Sequence, residues 1–163
     1  VTHRSNLTLH DETFKNPHTL EPDLYAKTPN VKPPKLTAID DQGVLKDSMN
    51  TINLYHLLDS SHSRTQLMIY YSNARMLTLA DVYMPNDPRV FIPGEPFGHA
   101  PWLRNVMANI QHRKIQVDHM APVHGDVTTF RQFTEEAIAL TAKPQLTPGE
   151  TSEGGGRGAG PNR

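Results

Sequence analysis

Two short apolar runs, Leu67-Met68-Ile69-Tyr70-Tyr71 and Met76-Leu77-Thr78-Leu79-Ala80, stand four residues apart. The residues between them, Ser72-Asn73-Ala74-Arg75, suit a turn. Runs of five are too short for helices, so the pair predicts a β-hairpin in a well-covered sheet. Upstream, Thr51-Ile52-Asn53-Leu54-Tyr55-His56-Leu57 has the period-two pattern of a half-buried strand. Leu36 to Ile39 and Val44-Leu45 flank Asp40-Asp41-Gln42-Gly43 and predict a further hairpin. These segments commit the middle of the chain to an antiparallel-rich sheet. At 163 residues, one domain is the default.

Helical periodicity appears later. Trp102, Leu103, Val106, Met107 and Ile110 recur at helical spacing and predict a helix from about Pro101 to His112, with the proline in its first turn. Lys114 to Val117 reads as a strand leading into Asp118-His119-Met120-Ala121-Pro122-Val123-His124-Gly125. Asp126 or Thr128 can cap a second helix, Thr129 to about Ala142, with Phe130, Phe133, Ala137, Ile138 and Leu140 along one side. Three stretches do not read as core. Residues 1–35 are polar and interrupted by Pro17, Pro22, Pro29, Pro33 and Pro34, which predicts an extended segment with a helical turn near Leu7 to Phe14. Pro85 to Pro101 holds five prolines and must be a loop. Six of the ten glycines fall between Gly149 and Arg163, so 144–163 is expected to be a disordered tail. The expected organisation is thus 1–35, then 36–143 as the folded unit, then 144–163.

Cysteine is absent, which excludes thiolate metal sites, disulfide scaffolds and cysteine nucleophiles. A net charge of −1 argues against nucleic acid or a polybasic membrane surface as partner. No apolar run approaches the length of a membrane span, and no signal-peptide pattern is visible. Nine histidines raise histidine–carboxylate metal chemistry instead. His62 lies between two predicted strands, Asp81 ends the next one, and His124 occupies the turn between the last strand and the last helix. Imidazole and carboxylate suit zinc and similar divalent ions, and strand ends aim ligands rigidly. The blander alternative is that each is an ordinary loop residue, His62 in a serine-rich turn and Asp81 capping the turn after it.

The segment Ser61-His62-Ser63-Arg64-Thr65-Gln66-Leu67-Met68-Ile69-Tyr70-Tyr71, followed by Arg75 to Tyr83, resembles the metallo-β-lactamase-fold hydrolase superfamily. In that superfamily a histidine after a strand precedes an apolar hairpin ending in an aspartate. Val117 to Phe133, centred on Ala121-Pro122-Val123-His124-Gly125-Asp126, is similar to its last motif, a histidine–glycine turn before the C-terminal helix. The resemblance covers roughly residues 1–142. It implies an α+β, αβ/βα sandwich, here the C-terminal half, with a mixed sheet and about two covering helices. It implies that His62 is a terminal ligand of a first metal, Asp81 a bridging carboxylate, and His124 a terminal ligand of a second. It implies Zn2+ as cofactor, two ions in the complete domain, with water attack on an ester, amide, lactone or phosphoester bond of a small-molecule substrate.

The superfamily's principal motif, His-x-His-x-Asp-His, is missing from this sequence, and Thr2-His3-Arg4-Ser5-Asn6 looks like the strand and loop that follow it. Ser61 and Ala80 stand where glycine is common. The expectation is therefore a chain beginning just past the main metal-binding element, with weak or absent metal binding and little hydrolase activity alone. The alternative is a non-catalytic interaction module on the same scaffold, self-associating through an uncovered sheet face or edge. His99 and Arg64 are substrate-loop candidates. His3, His10 and His18 read as solvated, His56 as surface-facing, His112 as suited to a helix C-terminus, His119 as a supporting or packing residue, and Trp102 and Phe97 as packing residues of the proline-rich loop and the helix after it.

Overall fold

The computed structural model describes residues 1–16, 27, 28, 30, 32, 34–85 and 99–142. The proline-rich loop (86–98), most of 17–33 and the glycine-rich tail lie outside these described residues. In chain order the elements are β1 (Thr2–His3), α1 (Leu7–Lys15), β2 (Ala38–Ile39), β3 (Gln42–Lys46), β4 (Thr51–His56), β5 (Leu67–Tyr71), β6 (Met76–Leu79), α2 (His99–Arg113), β7 (His119–Pro122), β8 (Thr128–Thr129) and α3 (Phe130–Ala142). Strands β3 to β8 form one sheet in sequence order, and a two-stranded parallel pair joins β1 to β2. Within the larger sheet β6 and β7 run parallel and the other neighbours antiparallel. Helix α2 supplies the crossover that a parallel pair requires.

The expected β5–β6 hairpin forms, with Ile69 opposite Thr78 and Tyr71 opposite Met76. A short 3-10 turn, Ser72–Ala74, connects the strands, and Arg75 closes it in the left-handed region at φ 48°. Register then sorts the side chains. Tyr55, Met68, Tyr70, Leu77, Leu79 and Met120 share the face against which α2 sets Leu103, Val106 and Ile110 and α3 sets Phe133 and Ala137. Phe133 is fully buried and stacks edge-on against Tyr83, with ring centroids 4.9 Å apart. Burying a side chain of this kind contributes about 1.5–3 kcal/mol. The opposite face carries Ile52, Leu54, Ile69, Tyr71 and Met76, most of them half-buried. The N-terminal segment docks on that side, where the His3 ring lies 4.5 Å from that of His56 and Arg4 pairs with Asp40 at 2.7 Å.

Several expectations are corrected. The 36–39/44–45 hairpin does not form. Ile39 is buried and its side chain crosses the face of β3 at Gly43, so β2 pairs with β1 while β3 pairs with β4. Asp47 closes the β3–β4 turn by accepting from the Met49 and Asn50 amides. The strand expected at 114–117 lies instead at 119–122, because the Arg75 carbonyl accepts from the Asp118 and His119 amides and starts the ladder there. Neither Asp126 nor Thr128 caps α3. Thr129 does so, its hydroxyl accepting from Gln132 N at 3.1 Å, while Thr128 is buried in β8. The helical turn near Leu7 is a nine-residue helix. His3 and His10 are not simply solvated: His3 Nδ1 accepts from Ser5 N, and the His10 ring meets the Thr2 hydroxyl at 3.2 Å.

Candidate metal centre

The three expected ligands converge at one end of the sheet. The reason lies in strand register. Leu79 and Pro122 are partners in the parallel β6–β7 pair, and Asp81 and His124 each lie two residues beyond them. Val123 N donates to Leu79 O at 3.0 Å, extending that ladder towards the site. His62 arrives from the β4–β5 loop, which opens at the same end because β5 runs antiparallel to β6.

Asp81 is held in the left-handed region at φ 62°, and Val82 N bonds back to Ala80 O at 2.7 Å. This tight three-residue turn is a strained geometry that persists only where its surroundings enforce it. Buried Leu79, Val82 and Tyr83 supply that enforcement on both sides of Asp81. The Tyr83 hydroxyl meets the Thr128 hydroxyl at 3.0 Å, and burial pushes the Tyr83 phenol above its ordinary range. The strained turn leaves the Asp81 carboxylate half-exposed, with a different imidazole at each oxygen. Asp81 Oδ2 lies 3.6 Å from His62 Nε2, and Asp81 Oδ1 lies 2.9 Å from His124 Nε2. Gly125 at φ 100° makes the bend that returns the chain after His124, against the ring of Pro85.

The chemistry of this donor set fits divalent ions. Two ligand atoms on a tetrahedral zinc, each 2.0–2.1 Å from it, lie roughly 3.3–3.4 Å apart. The His62–Asp81 spacing is within a few tenths of an ångström of that. The His124–Asp81 spacing is that of a direct hydrogen bond and would have to open by about 0.4 Å. The donors form two pairs sharing one carboxylate. Among the described residues, no group of three or more His, Cys, Asp or Glu is placed to hold an ion.

Of the substrate-loop candidates, Arg64 is exposed in the His62 loop, where its carbonyl meets His56 Nε2 at 2.8 Å. His99 is the first residue of α2, and its side chain lies outside the described residues. Trp102 does more than pack. Its ring centroid lies 4.9 Å from that of His62, edge-on, and its indole N–H donates to Ser61 Oγ at 3.0 Å. Sequence reasoning also missed Asn109 on α2. Its side chain pairs with the backbone of Leu58, accepting from the amide at 2.9 Å and donating to the carbonyl at 3.0 Å. Asn105 donates to the same carbonyl at 2.8 Å. Together they anchor the start of the loop that carries His62. The available signal was a pair of asparagines four apart along the apolar stripe of the helix.

No protein-family model and no curated protein matches the sequence. Among solved structures, a metallo-β-lactamase from Pontibacter korlensis is similar at a TM-score of 0.54 and 10% identity, over 86% of this chain and 57% of that one. The chain has a metallo-β-lactamase-like fold. An archaeal metallo-β-lactamase superfamily protein from Sulfolobus tokodaii is matched at a TM-score of 0.47 and 10% identity, over 73% of this chain and 44% of that one. The fold assignment rests on the first of the two. This metallo-β-lactamase-like chain spans about half the length of the solved structures it matches. No helix among its described residues is long and apolar enough to cross a membrane.

Proposed function

We propose that this chain carries part of the site of a metal-dependent hydrolase, with His62 and Asp81 holding one divalent ion and Asp81 and His124 a second. The observation that supports this reading is the Asp81 carboxylate, whose two oxygens face two different imidazoles. Zinc is the default ion for these donors, and iron or manganese suits them too. The chemistry such ions supply is acidification of a water, which can then attack an ester, amide or lactone bond. The chain's own part is to aim the Asp81 carboxylate and the His124 imidazole from just beyond the ends of β6 and β7, and the His62 imidazole from the β4–β5 loop. Two donors per ion is one fewer than catalytic zinc commonly has. The isolated chain should therefore bind zinc weakly and turn over ester substrates poorly. Val123 and Val127 are exposed around the His124 turn and offer an apolar rim to a small-molecule substrate.

Zinc titration by calorimetry tests this reading. The chain should bind zinc, Asp81→Ala should abolish the binding, and adding an upstream His-x-His-x-Asp-His segment should raise affinity and esterase turnover. Equal zinc binding by the chain and Asp81→Ala, or no gain from the added segment, would refute it.

A second reading, an interaction module on this scaffold, draws on the edge of the sheet. Among the described residues strand β3 has one neighbour in the sheet, and Val44, Leu45 and Met49 on its hairpin are exposed. An exposed apolar edge favours pairing with a second copy. Light scattering decides it, because a monomer at all concentrations, indifferent to zinc, would count against this reading.

A further inference from the structure

We propose that Gln66 is the positioning residue that sets His62 relative to Asp81, an inference that rests on reading both as metal ligands. Gln66 immediately precedes β5, and its carbonyl accepts from Leu57 N at 2.9 Å, carrying the β4–β5 ladder beyond its last strand pair. Extending the β5–β6 register by three residues places Gln66 opposite Asp81. Its side chain then joins the two ligand-bearing segments. The amide Nε2 donates to Ala80 O, the carbonyl that also closes the strained turn at Asp81. The amide Oε1 accepts from the Ser60 hydroxyl at 3.4 Å, and Ser60 Oγ accepts from Ser63 N at 3.4 Å, so that these two serines bracket His62. A continuous chain of hydrogen bonds thus runs from the residue after His62 to the residue before Asp81. It involves none of the ligating atoms.

The link needs a carboxamide. One head group must accept from a hydroxyl and donate to a carbonyl at the same time. A glutamate lacks the donor and would set its charge against Ala80 O. A leucine lacks both functions, and an asparagine is one methylene short. Groups bonded directly to metal ligands commonly change metal affinity by about 10–100-fold when removed, and a link through the residues flanking the ligands should act near the lower end of that range.

The chain contains one tryptophan, and it lies against His62, so its emission reports on that imidazole independently of catalysis. The experiment uses the full chain with zinc chloride as the probe. It compares wild type, Gln66→Glu, Gln66→Leu and His62→Ala by calorimetry and Trp102 fluorescence, with cobalt absorption as a second signature of ligand geometry. Both Gln66 variants should lose about 10-fold or more in zinc affinity and show a shifted cobalt spectrum, with circular dichroism unchanged. Wild-type affinity with an unchanged Trp102 response in both variants overturns the proposal and leaves the ligand reading standing. A wild-type zinc response that His62→Ala does not alter overturns the ligand reading itself, and this proposal with it. If both Gln66 variants fail to fold, Ser60→Ala carries the test, because it cuts the link at its middle, on both sides of Ser60 Oγ, and leaves the Gln66–Ala80 bond in place. It should lose at least about 3-fold in affinity, the effect of even one of the two neutral hydrogen bonds it removes, and an unchanged affinity again overturns the proposal.

Discussion

Removing the Asn109 side chain should be among the more damaging polar truncations in this fold. Asn109 is 3% exposed, and its carboxamide works in place of a neighbouring strand. Its Oδ1 takes the Leu58 amide at 2.9 Å, and its Nδ2 is shared between Leu58 O at 3.0 Å and Asn105 O at 2.9 Å. In Asn109→Ala the Leu58 N–H loses this acceptor in a partly buried place, which costs about 1–3 kcal/mol. The Leu58 carbonyl keeps its bond from Asn105, so its loss is one ordinary hydrogen bond, about 0.5–1.5 kcal/mol. The total is about 1.5–4.5 kcal/mol. Asn105→Ala should cost only about 0.5–1.5 kcal/mol, because Asn109 still serves the same carbonyl. Urea denaturation of the two single variants and the double variant measures this. The double variant should exceed the sum of the singles, since only there does the carbonyl lose both side-chain donors. An Asn109→Ala loss below about 1 kcal/mol, or equal losses from the two single variants, would refute the strand-substitute role.

Two further outcomes are expected. Gly125→Ala places a Cβ at φ 100° and 3.1 Å from two Pro85 ring carbons, so it should destabilise by about 1–3 kcal/mol in thermal or urea unfolding and weaken zinc binding through His124; unchanged stability would show that the turn relaxes freely. The Arg113 guanidinium donates to both Asp41 oxygens and holds that carboxyl below the ordinary carboxylate range, as Arg4 does for Asp40 and local amides do for Asp47. A depressed folded-state value means stability present above about pH 4 and lost as pH falls through the lower folded values. Urea midpoints should therefore decline on the acid side, and Asp41→Asn should remove part of the decline.

Much of the sheet was legible because its patterns are local. The alternation at 51–56 and the paired runs at 67–71 and 76–79 are set by side-chain period and turn residues, and they folded where the sequence placed them. The helices α2 and α3 followed from spacing for the same reason, within a residue or two at each end. Partnership was less legible. Whether 36–39 pairs with 44–45 or with 2–3 depends on Ile39 finding a place over Gly43, a contact between segments that no local pattern encodes.

The candidate site divides in the same way. Residue type and chain order offer His62, Asp81 and His124 as candidate donors beside ordinary loop roles, and the resemblance to the metallo-β-lactamase-fold superfamily implies their roles as ligands. Their meeting depends on the parallel β6–β7 register, which puts Asp81 and His124 level, and on a left-handed Asp81 that turns one carboxylate towards two imidazoles. Trp102, Gln66 and Asn109 became visible as supports only in three dimensions. Their bonds to Ser61, Ala80 and Leu58 span 41, 14 and 51 residues, and hydrogen bonds over such separations leave no periodicity in the sequence. Local chemistry determined which groups could act, and strand register with packing decided which of them face one another.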